Sequence, residues 1–270
     1  MKFERIPPCE PLREYVQYFW TLVSDDASLA PRALGPLADG CPGIVIQLSG
    51  TFYDDVSTML PQAFVYGQTI KRTSLYVTGK FKWVGVCFYP HALKSVFGFN
   101  ASELTDGCLD LNELKINATT AFTEHLFEVK EIGNQIDIIS EFLLAHISRY
   151  KSQIEPITRY ASKEIIKANG SISLKELQRQ LNLSERTFER KFEQHVGISP
   201  KLFSRVCRFQ RSLYQLKNNN YSLLSDIAFD GGYTDQSHFI RTFKEFAGCS
   251  PYEFQKQPYQ AFSDFSVMIK

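Results

Sequence analysis

Cysteine, histidine and carboxylate side chains could bind a metal or attack a substrate, but their spacing in this sequence predicts neither. The chain of 270 residues has six cysteines, and no two of them lie within 20 residues of each other. Zinc-binding patterns of the CxxC or mixed Cys/His kind are missing. So are the GxSxG, HExxH and phosphate-loop motifs and any suggestive pair of carboxylates. We therefore predict no catalytic residue, no metal site and no cofactor.

Composition and terminal sequence favour a cytoplasmic, globular protein. Apolar residues make up 44% of the chain and charged residues 22%, a balance typical of globular proteins. The longest uncharged apolar stretch, from Trp83 to Leu93, is interrupted by Pro90 and is too short to span a membrane. The N-terminal sequence MKFERIPPCEPLRE lacks the apolar run of a signal peptide. We expect reduced thiols and no membrane partner.

The charges divide the chain into two unlike halves. Residues 1–150 carry 12 Lys and Arg against 17 Asp and Glu, whereas residues 151–270 carry 18 against 12. A length of 270 residues suits two domains of ordinary size. We predict domains over 1–150 and 151–270, and a polyanion as the partner of the basic second half.

The basic half contains an internal repeat. Residues 188–200 read FERKFEQHVGISP and residues 239–251 read FIRTFKEFAGCSP, so both fit F-x-R-x-F-x4-G-x-S-P at an offset of 51 residues. Agreement at six positions indicates two copies of one structural unit. In each copy the two phenylalanines, four residues apart, share one helix face. The glycine fits a left-handed helix cap, and the proline follows it.

A shorter helix is expected before each of these helices. Ser173 to Glu176 has the form of a capping box, and Gly231-Gly232 supplies a turn in the second copy. Ser184 and Asp235 are suitable N-caps for the longer helices. A helix, a tight turn and a second helix with a polar outer face predict a helix-turn-helix unit. The predicted apolar core of the two units consists of Leu177, Leu181, Phe188, Phe192, Ile227, Ala228, Phe239 and Phe243.

A long helix is predicted between the two units. Phe203, Val206, Phe209 and Leu213 fall on one stripe of a helix, as expected for a buried face. The arginines at positions 205, 208 and 211 fall on its other faces. These arginines could contact phosphates or could be ordinary solvated charges.

Residues 155–257 resemble the DNA-binding domain of the AraC/XylS-type transcriptional regulators. The resemblance is carried most clearly by DIAFDGGYTDQSHFIRTFKEFAGCSPYEFQ, residues 226–255. It implies two helix-turn-helix units, a linker helix, and recognition helices at about 184–196 and 235–247. By position in the motif, the DNA-facing residues are Arg186, Thr187, Glu189 and Arg190, and Gln236, Ser237, His238 and Arg241. Each could contact a base edge, a phosphate or neither.

The first half of the chain favours a small antiparallel sheet or partial barrel followed by helices, so the predicted fold class is α+β. Strand-like runs cover 43–48, 63–66, 74–78 and 83–89, and helical patterns cover 91–97, 117–130 and 133–149. The stretches ADGCPGIVIQL, FVYGQT and GVCFYPHALKSVFGFNASELTD resemble an N-terminal domain of a subset of AraC-type regulators. Four aromatic residues could line an effector pocket or form ordinary core: Tyr66, Tyr76, Trp83 and Phe88.

The function that follows is a sequence-specific, DNA-binding transcription regulator that is not an enzyme. Its N-terminal domain would bind a small molecule or dimerise through the stripe Ile136, Ile139, Leu143 and Ile147, unless that stripe is core. An activator of this type would also contact RNA polymerase. Two alternatives are a basic helical domain that binds a protein or RNA, and a DNA-repair methyl acceptor. The second would need a cysteine cluster, which the sequence lacks.

Overall fold

Strands dominate the N-terminal part of the computed structural model, which describes residues 1–34, 37–54, 57–72, 74–114, 119–150 and 154–256. Six strands form an open antiparallel sheet in the order β1-β2-β7-β4-β5-β8, and β3 pairs with β6 in a separate ribbon. The strands are β1 (Lys2–Ile6), β2 (Val16–Ser24), β3 (Arg32–Leu34), β4 (Gly43–Ser49), β5 (Ala63–Tyr66), β6 (Leu75–Val77), β7 (Phe81–Phe88) and β8 (Cys108–Asp110).

Helices predominate in the described chain after β7, and the short strand β8 lies between the first two of them. They are α1 (Leu93–Phe97), α2 (Thr119–Glu128), α3 (Ile132–Tyr150), α4 (Pro156–Lys167), α5 (Leu174–Gln180), α6 (Glu185–Val196), α7 (Pro200–Lys217), α8 (Leu224–Asp230), α9 (Gln236–Ala247) and α10 (Pro251–Lys256). The predicted α+β class and the order of sheet and helices are confirmed. The four predicted strands correspond to β4 to β7. Residues 117–118 of one predicted helix and 151–153 at the predicted domain boundary lie outside the described residues.

The two faces of the large sheet pack against different partners because neighbouring strand residues point to opposite sides. On β2, Phe19 lies in a buried cluster with α1 and α3, whereas Trp20 lies in a second cluster that continues into the helical part and includes Phe188. Gly85 is paired with Trp20 across β2 and β7, and a Cβ there would collide with the indole. One of the two clusters is therefore shared by the N-terminal sheet and the helices from α4 onward, and the other lies within the N-terminal part.

The aromatic residues proposed to line an effector pocket do not meet in one cavity. Trp83 is fully buried and stacks on Phe81, with ring centroids 4.1 Å apart. Phe88 belongs to the cluster on the opposite face of β7, where its ring meets the edge of Phe97 at 6.0 Å. An odd and an even position on one strand cannot face the same space. Trp83 and Phe88 therefore pack the core, as the alternative interpretation held, whereas Tyr66 is half-buried beside the cluster of Trp83 and Tyr76 is half-buried.

The apolar stripe that suggested dimerisation is likewise part of the core. Ile136, Ile139 and Leu143 of α3 are buried in the cluster that includes α1, and Ile147 is half-buried beside it. The stripe is thus covered within one chain, and it no longer argues for a dimer through this surface. No described helix is both long and apolar enough to cross a membrane.

Candidate nucleic-acid interface

The first helix-turn-helix unit consists of α5 and α6 joined by a turn of a few residues. The Ser173 hydroxyl accepts a hydrogen bond from the Glu176 amide at 3.3 Å, and the Ser184 hydroxyl accepts one from the Thr187 amide at 3.3 Å. These bonds satisfy orphan donors at both helix starts. Asn182 turns the chain with a φ of +52°, a conformation that asparagine tolerates better than most residues.

The second unit consists of α8 and α9 and uses different residues for the same turn. Gly232 takes a φ of +65° between the helices, and the Asp235 carboxylate accepts a hydrogen bond from the His238 amide at 2.7 Å. The predicted core residues of both units are buried or, for Leu181, half-buried. In both units the recognition helix therefore keeps its phenylalanine pair inside and turns its other face outward.

On α6, three of the four residues assigned to DNA contact are exposed, namely Arg186, Glu189 and Arg190. Thr187 differs because it is half-buried and belongs to the helix cap, where its hydroxyl oxygen accepts a hydrogen bond from Ser184 at 2.9 Å. An exposed arginine can donate two hydrogen bonds to a guanine edge or bind a phosphate. Arg186 and Arg190 are thus the side chains of α6 best able to reach DNA.

On α9, Gln236, Ser237 and Arg241 are exposed, and His238 is half-buried. The Nδ1 atom of His238 accepts a hydrogen bond from the Thr234 amide at 3.3 Å, and the ring meets Tyr233 edge-on at 5.5 Å. In the neutral ring the proton then lies on Nε2, which can donate to a base or a phosphate.

The arginines of the linker helix α7 are used within the protein. Arg205 forms an ion pair with Glu245 of α9 and lies over the Phe246 ring at 5.4 Å. Arg208 donates to the Gly232 carbonyl at 3.5 Å, and Arg211 lies 5.9 Å from the Tyr214 ring. Arg205 and Arg208 therefore contact the second unit, and their contact with phosphates stays a prediction.

The N-terminal part touches the C-terminal ends of both recognition helices, which the sequence interpretation missed. The Thr105 hydroxyl donates a hydrogen bond to the Gly197 carbonyl, just past α6, at 2.7 Å. The Arg72 guanidinium donates to the Ala247 carbonyl at the last residue of α9 at 3.1 Å. Carbonyls at a helix C-terminus lack helical partners and favour a positive charge. Contacts between residues this far apart in sequence leave no local signal.

Helix α4 holds α6 from another side. The Lys191 ammonium of α6 donates to the Glu155 carboxylate at 2.9 Å, and the same carboxylate caps α4 by accepting from the Thr158 amide at 2.7 Å. Burial raises the pKa of Glu155, but these hydrogen bonds outweigh it and hold the pKa below its usual value. The Glu155 carboxylate is therefore ionised near neutral pH.

Two protein families match parts of the chain. Residues 4–110 match a domain of unknown function, DUF6597, and residues 177–257 match a helix-turn-helix domain. An HTH-type transcriptional regulator of Haemophilus influenzae is 28% identical over 134 residues, which are 45% of each chain. The Msm operon regulatory protein of Streptococcus mutans is 29% identical over 121 residues, 44% of this chain and 43% of the relative. The chain thus spans less than half the length of these curated relatives.

The whole fold is similar to that of a solved structure. ToxT from Vibrio cholerae O395, in complex with (E)-4-(8-methylnaphthalen-1-yl)but-3-enoic acid, superposes with a TM-score of 0.50 at 15% identity. The similarity covers 88% of this chain and 98% of ToxT, so the sheet and the helical part follow one arrangement in both proteins. The helix-turn-helix match and the regulators similar to this part of the chain support an AraC/XylS-type helix-turn-helix domain in the C-terminal part, and the ToxT structure shows that the two-part fold is shared.

Proposed function

We propose that the protein is a sequence-specific DNA-binding transcription regulator that reads two successive major grooves with α6 and α9. The observation that carries this proposal is the exposure of Arg190 and Arg241 at the same position of the repeat, each opposite a buried phenylalanine pair. A helix that presents exposed polar side chains beyond a tight turn is the element that enters a major groove.

The two units would read different sequences. Arg190 and Arg186 suit guanine, Gln236 suits adenine, and Glu189 can accept from the cytosine amino group. Because the units follow one another on one chain, a repeat relates them and no two-fold axis does. We therefore expect an asymmetric site of roughly 15–20 base pairs, with contacts in major grooves about 34 Å apart.

Phosphate contacts would orient the protein on the duplex. Ser237 lies in the first turn of α9, where backbone amides and the helix dipole favour an anion. Thr187 and His238 are partly engaged in caps, so positioning suits them better than base reading. Neutralised phosphates release counterions, and the affinity should fall steeply with salt.

The N-terminal part is proposed to modulate DNA binding. It contacts the C-terminal ends of both recognition helices through Thr105 and Arg72 and shares a hydrophobic core with the helices. A small molecule that shifts these contacts would change how α6 and α9 are held. Contact with RNA polymerase belongs to this proposal if the protein activates transcription, and a homodimer would need a surface other than the buried α3 stripe.

A binding titration with the full chain tests the proposal. We expect tight, salt-dependent binding to duplex DNA and weaker binding to single-stranded RNA of equal length. The double variant Arg190→Ala/Arg241→Ala should lose about 2 kcal/mol or more on duplex, whereas Arg149→Ala, an exposed arginine of α3, should bind like the wild type. Equal affinity for RNA, or equal loss in both variants, would contradict DNA reading by these helices.

A further inference from the structure

The N-terminal part contacts the two recognition helices at matching points of the repeat. Thr105 donates to the Gly197 carbonyl just past α6 at 2.7 Å. Arg72 donates to the Ala247 carbonyl at the end of α9 at 3.1 Å, and a Cβ at Gly248 would collide with the Arg72 side chain. Gly197 and Gly248 are the equivalent glycines of the two copies. The same end of each reading helix is therefore held by the N-terminal part.

Both contacts come from one small region at the edge of the sheet. Arg72 belongs to residues 67–72, which follow β5, and Thr105 belongs to residues 104–107, which precede β8. We call these two segments the double loop. Strands β5 and β8 are antiparallel neighbours, so the two segments leave the sheet side by side. A Cβ at Gly67 would lie 2.3 Å from a carbonyl oxygen of the other segment, which shows how closely they pack.

Asp106 ties the two segments of the double loop together. Its carboxylate oxygen Oδ1 accepts hydrogen bonds from the Ile70 and Lys71 amides at 2.8 and 3.0 Å, and its own amide donates to a carbonyl of residues 67–72 at 2.8 Å. Its φ is +55°, a conformation that aspartate tolerates better than most residues. Asp106 directly follows Thr105, and the two amides lie just before Arg72. One carboxylate therefore fixes both contact residues relative to each other.

Other side-chain contacts between the N-terminal part and the helices are made with α4 and α7. They join Glu14 to Arg159, His91 Nδ1 to the Ser162 hydroxyl oxygen at 3.3 Å, and the Ala38 carbonyl to Gln210. Helix α7 also packs on both recognition helices, through the ring pairs Phe192–Phe203 and Phe209–Phe243. Two units joined through one helix can tilt about it. A second connection between their ends, through the double loop, opposes that tilt.

We propose that Asp106 is a positioning residue that sets the spacing at which α6 and α9 read DNA. It acts through Thr105 and Arg72, because it holds together the double loop that contacts both helices. This inference rests on the proposed function, in which both helices read one site, and adds what determines the distance between the two blocks of that site.

The spacing of the two blocks is sensitive to such a connection. Two linked reading units bind best when their linkage matches the separation of their sites. One added base pair moves a block by about 3.4 Å along the duplex and turns it by roughly a tenth of a turn. A rigid linkage therefore binds poorly when the spacing changes by one base pair. A loosened linkage binds the best spacing less tightly but loses less when the spacing changes.

Two substitutions of Asp106 separate its hydrogen bonds from its charge and backbone conformation. Asp106→Gly and Asp106→Asn both remove the negative charge, and both accept a positive φ. Only asparagine keeps an oxygen that can accept from the Ile70 and Lys71 amides. The control Asp26→Gly removes an exposed carboxylate that accepts from the Ser28 amide at 2.9 Å, in the loop after β2.

Duplex affinity of the full chain tests the proposal. The probes are the site that the wild type selects from random duplexes, and the same site with one base pair inserted or deleted between its blocks. For the wild type, Asp106→Asn and Asp26→Gly, we expect the changed spacing to weaken binding by about tenfold or more. For Asp106→Gly we expect a loss of about threefold or less. A general loss of stability would lower the affinity by the same factor at every spacing.

Hydrogen exchange without DNA reports on the double loop itself. Asp106→Gly should raise exchange in the last turns of both α6 and α9, whereas Thr105→Val should raise it in α6 only. The proposal is overturned if Asp106→Gly keeps the wild-type dependence on spacing, if Asp106→Asn loses that dependence equally, or if exchange rises at one helix end only. A wild type that selects no site with two blocks would contradict the proposed function, and the role of Asp106 in spacing with it.

Discussion

The two helix-turn-helix units share a sequence repeat and differ in what holds them. In the first, α6 packs against α1 and the short turn Ala101–Leu104 of the N-terminal part. In the second, α9 packs against α7, α8 and α10. A Cβ at Gly197 would lie 3.1 Å from the Ala101 carbonyl oxygen, a backbone atom, whereas a Cβ at Gly248, the matching position of the second unit, would meet only the side chain of Arg72. The first unit is thus embedded in the N-terminal part, and the second is fixed mainly to the linker helix.

The residues that build each unit therefore differ from the residues that link it to the rest of the chain. The repeated phenylalanines, cap and glycine are sufficient to build each unit, since both copies form the same helices. The side chains that link a unit to the rest of the chain are not repeated. Lys191 pairs with Glu155, whereas its counterpart in the repeat is Thr242, a buried residue. A signal from the N-terminal part should therefore reach α6 more directly than α9.

The largest expected effect comes from removal of one core phenylalanine in each unit. Phe192→Ala and Phe243→Ala each delete a fully buried ring and should cost about 3–5 kcal/mol of unfolding free energy. Hydrogen exchange should rise in α8 and α9 for Phe243→Ala. For Phe192→Ala it should rise in α6 and also in residues 101–105. If hydrogen exchange rises in residues 101–105 in both variants or in neither, the two units do not differ in how closely they are held by the N-terminal part.

The next effect is on DNA recognition by single arginines. Arg190→Ala or Arg241→Ala should cost about 1–3 kcal/mol and relax base preference in only one half of the site if the arginine reads a base. If the arginine contacts phosphate, affinity should fall evenly across sequences and the salt slope should shrink by about one. Binding to a set of duplexes with substitutions in either half distinguishes these cases. Loss of preference in both halves from one variant would show that the units do not read separately.

A third effect is a pH dependence that His91 confers on the junction with the first unit. Its pKa in the folded chain is about 4, below the usual 6.5. The unfolded chain therefore binds the proton more readily, and stability is lost as pH falls from about 6.5 towards 4. Urea unfolding at pH 7 and pH 5 should show a loss on the order of 1–2 kcal/mol from this residue. His91→Gln should reduce the loss, and an unchanged pH dependence would disprove this role.

The smallest effects are expected at the two contacts with the helix ends. Thr105→Val removes the hydrogen bond to the Gly197 carbonyl and should cost about 0.5–1.5 kcal/mol. Arg72→Met removes a charge near the end of α9 and should cost about 0.3–1 kcal/mol. Urea unfolding measures both. If Thr105→Val weakens DNA contacts of the second unit more than those of the first, the assignment of Thr105 to α6 is wrong.

Local patterns in the sequence were sufficient to predict much of this structure. The period of the phenylalanines, the N-caps at Ser184 and Asp235 and the glycine C-caps at Gly197 and Gly248 specified both recognition helices, because each depends on residues a few positions apart. Strands β1, β2, β3 and β8 were missed. The sequence of β1, KFERI, has few apolar residues and lies at the sheet edge, and β3 and β8 have only three residues each. The sequence of β2, VQYFWTLVS, shows no regular alternation because residues on both of its faces are buried. The contacts of Thr105, Arg72 and His91 bring together residues tens of positions apart, and no local pattern encodes them.

Selection of binding sites from random duplexes with the full chain tests the central claim most directly. We expect asymmetric sites of roughly 15–20 base pairs, with two different conserved blocks in successive major grooves on one face of the DNA. Arg190→Ala should weaken the base preference in one block, and Arg241→Ala should weaken it in the other. Recovery of palindromic sites, or of sites that fit within one groove, would show that only one helix-turn-helix unit reads DNA.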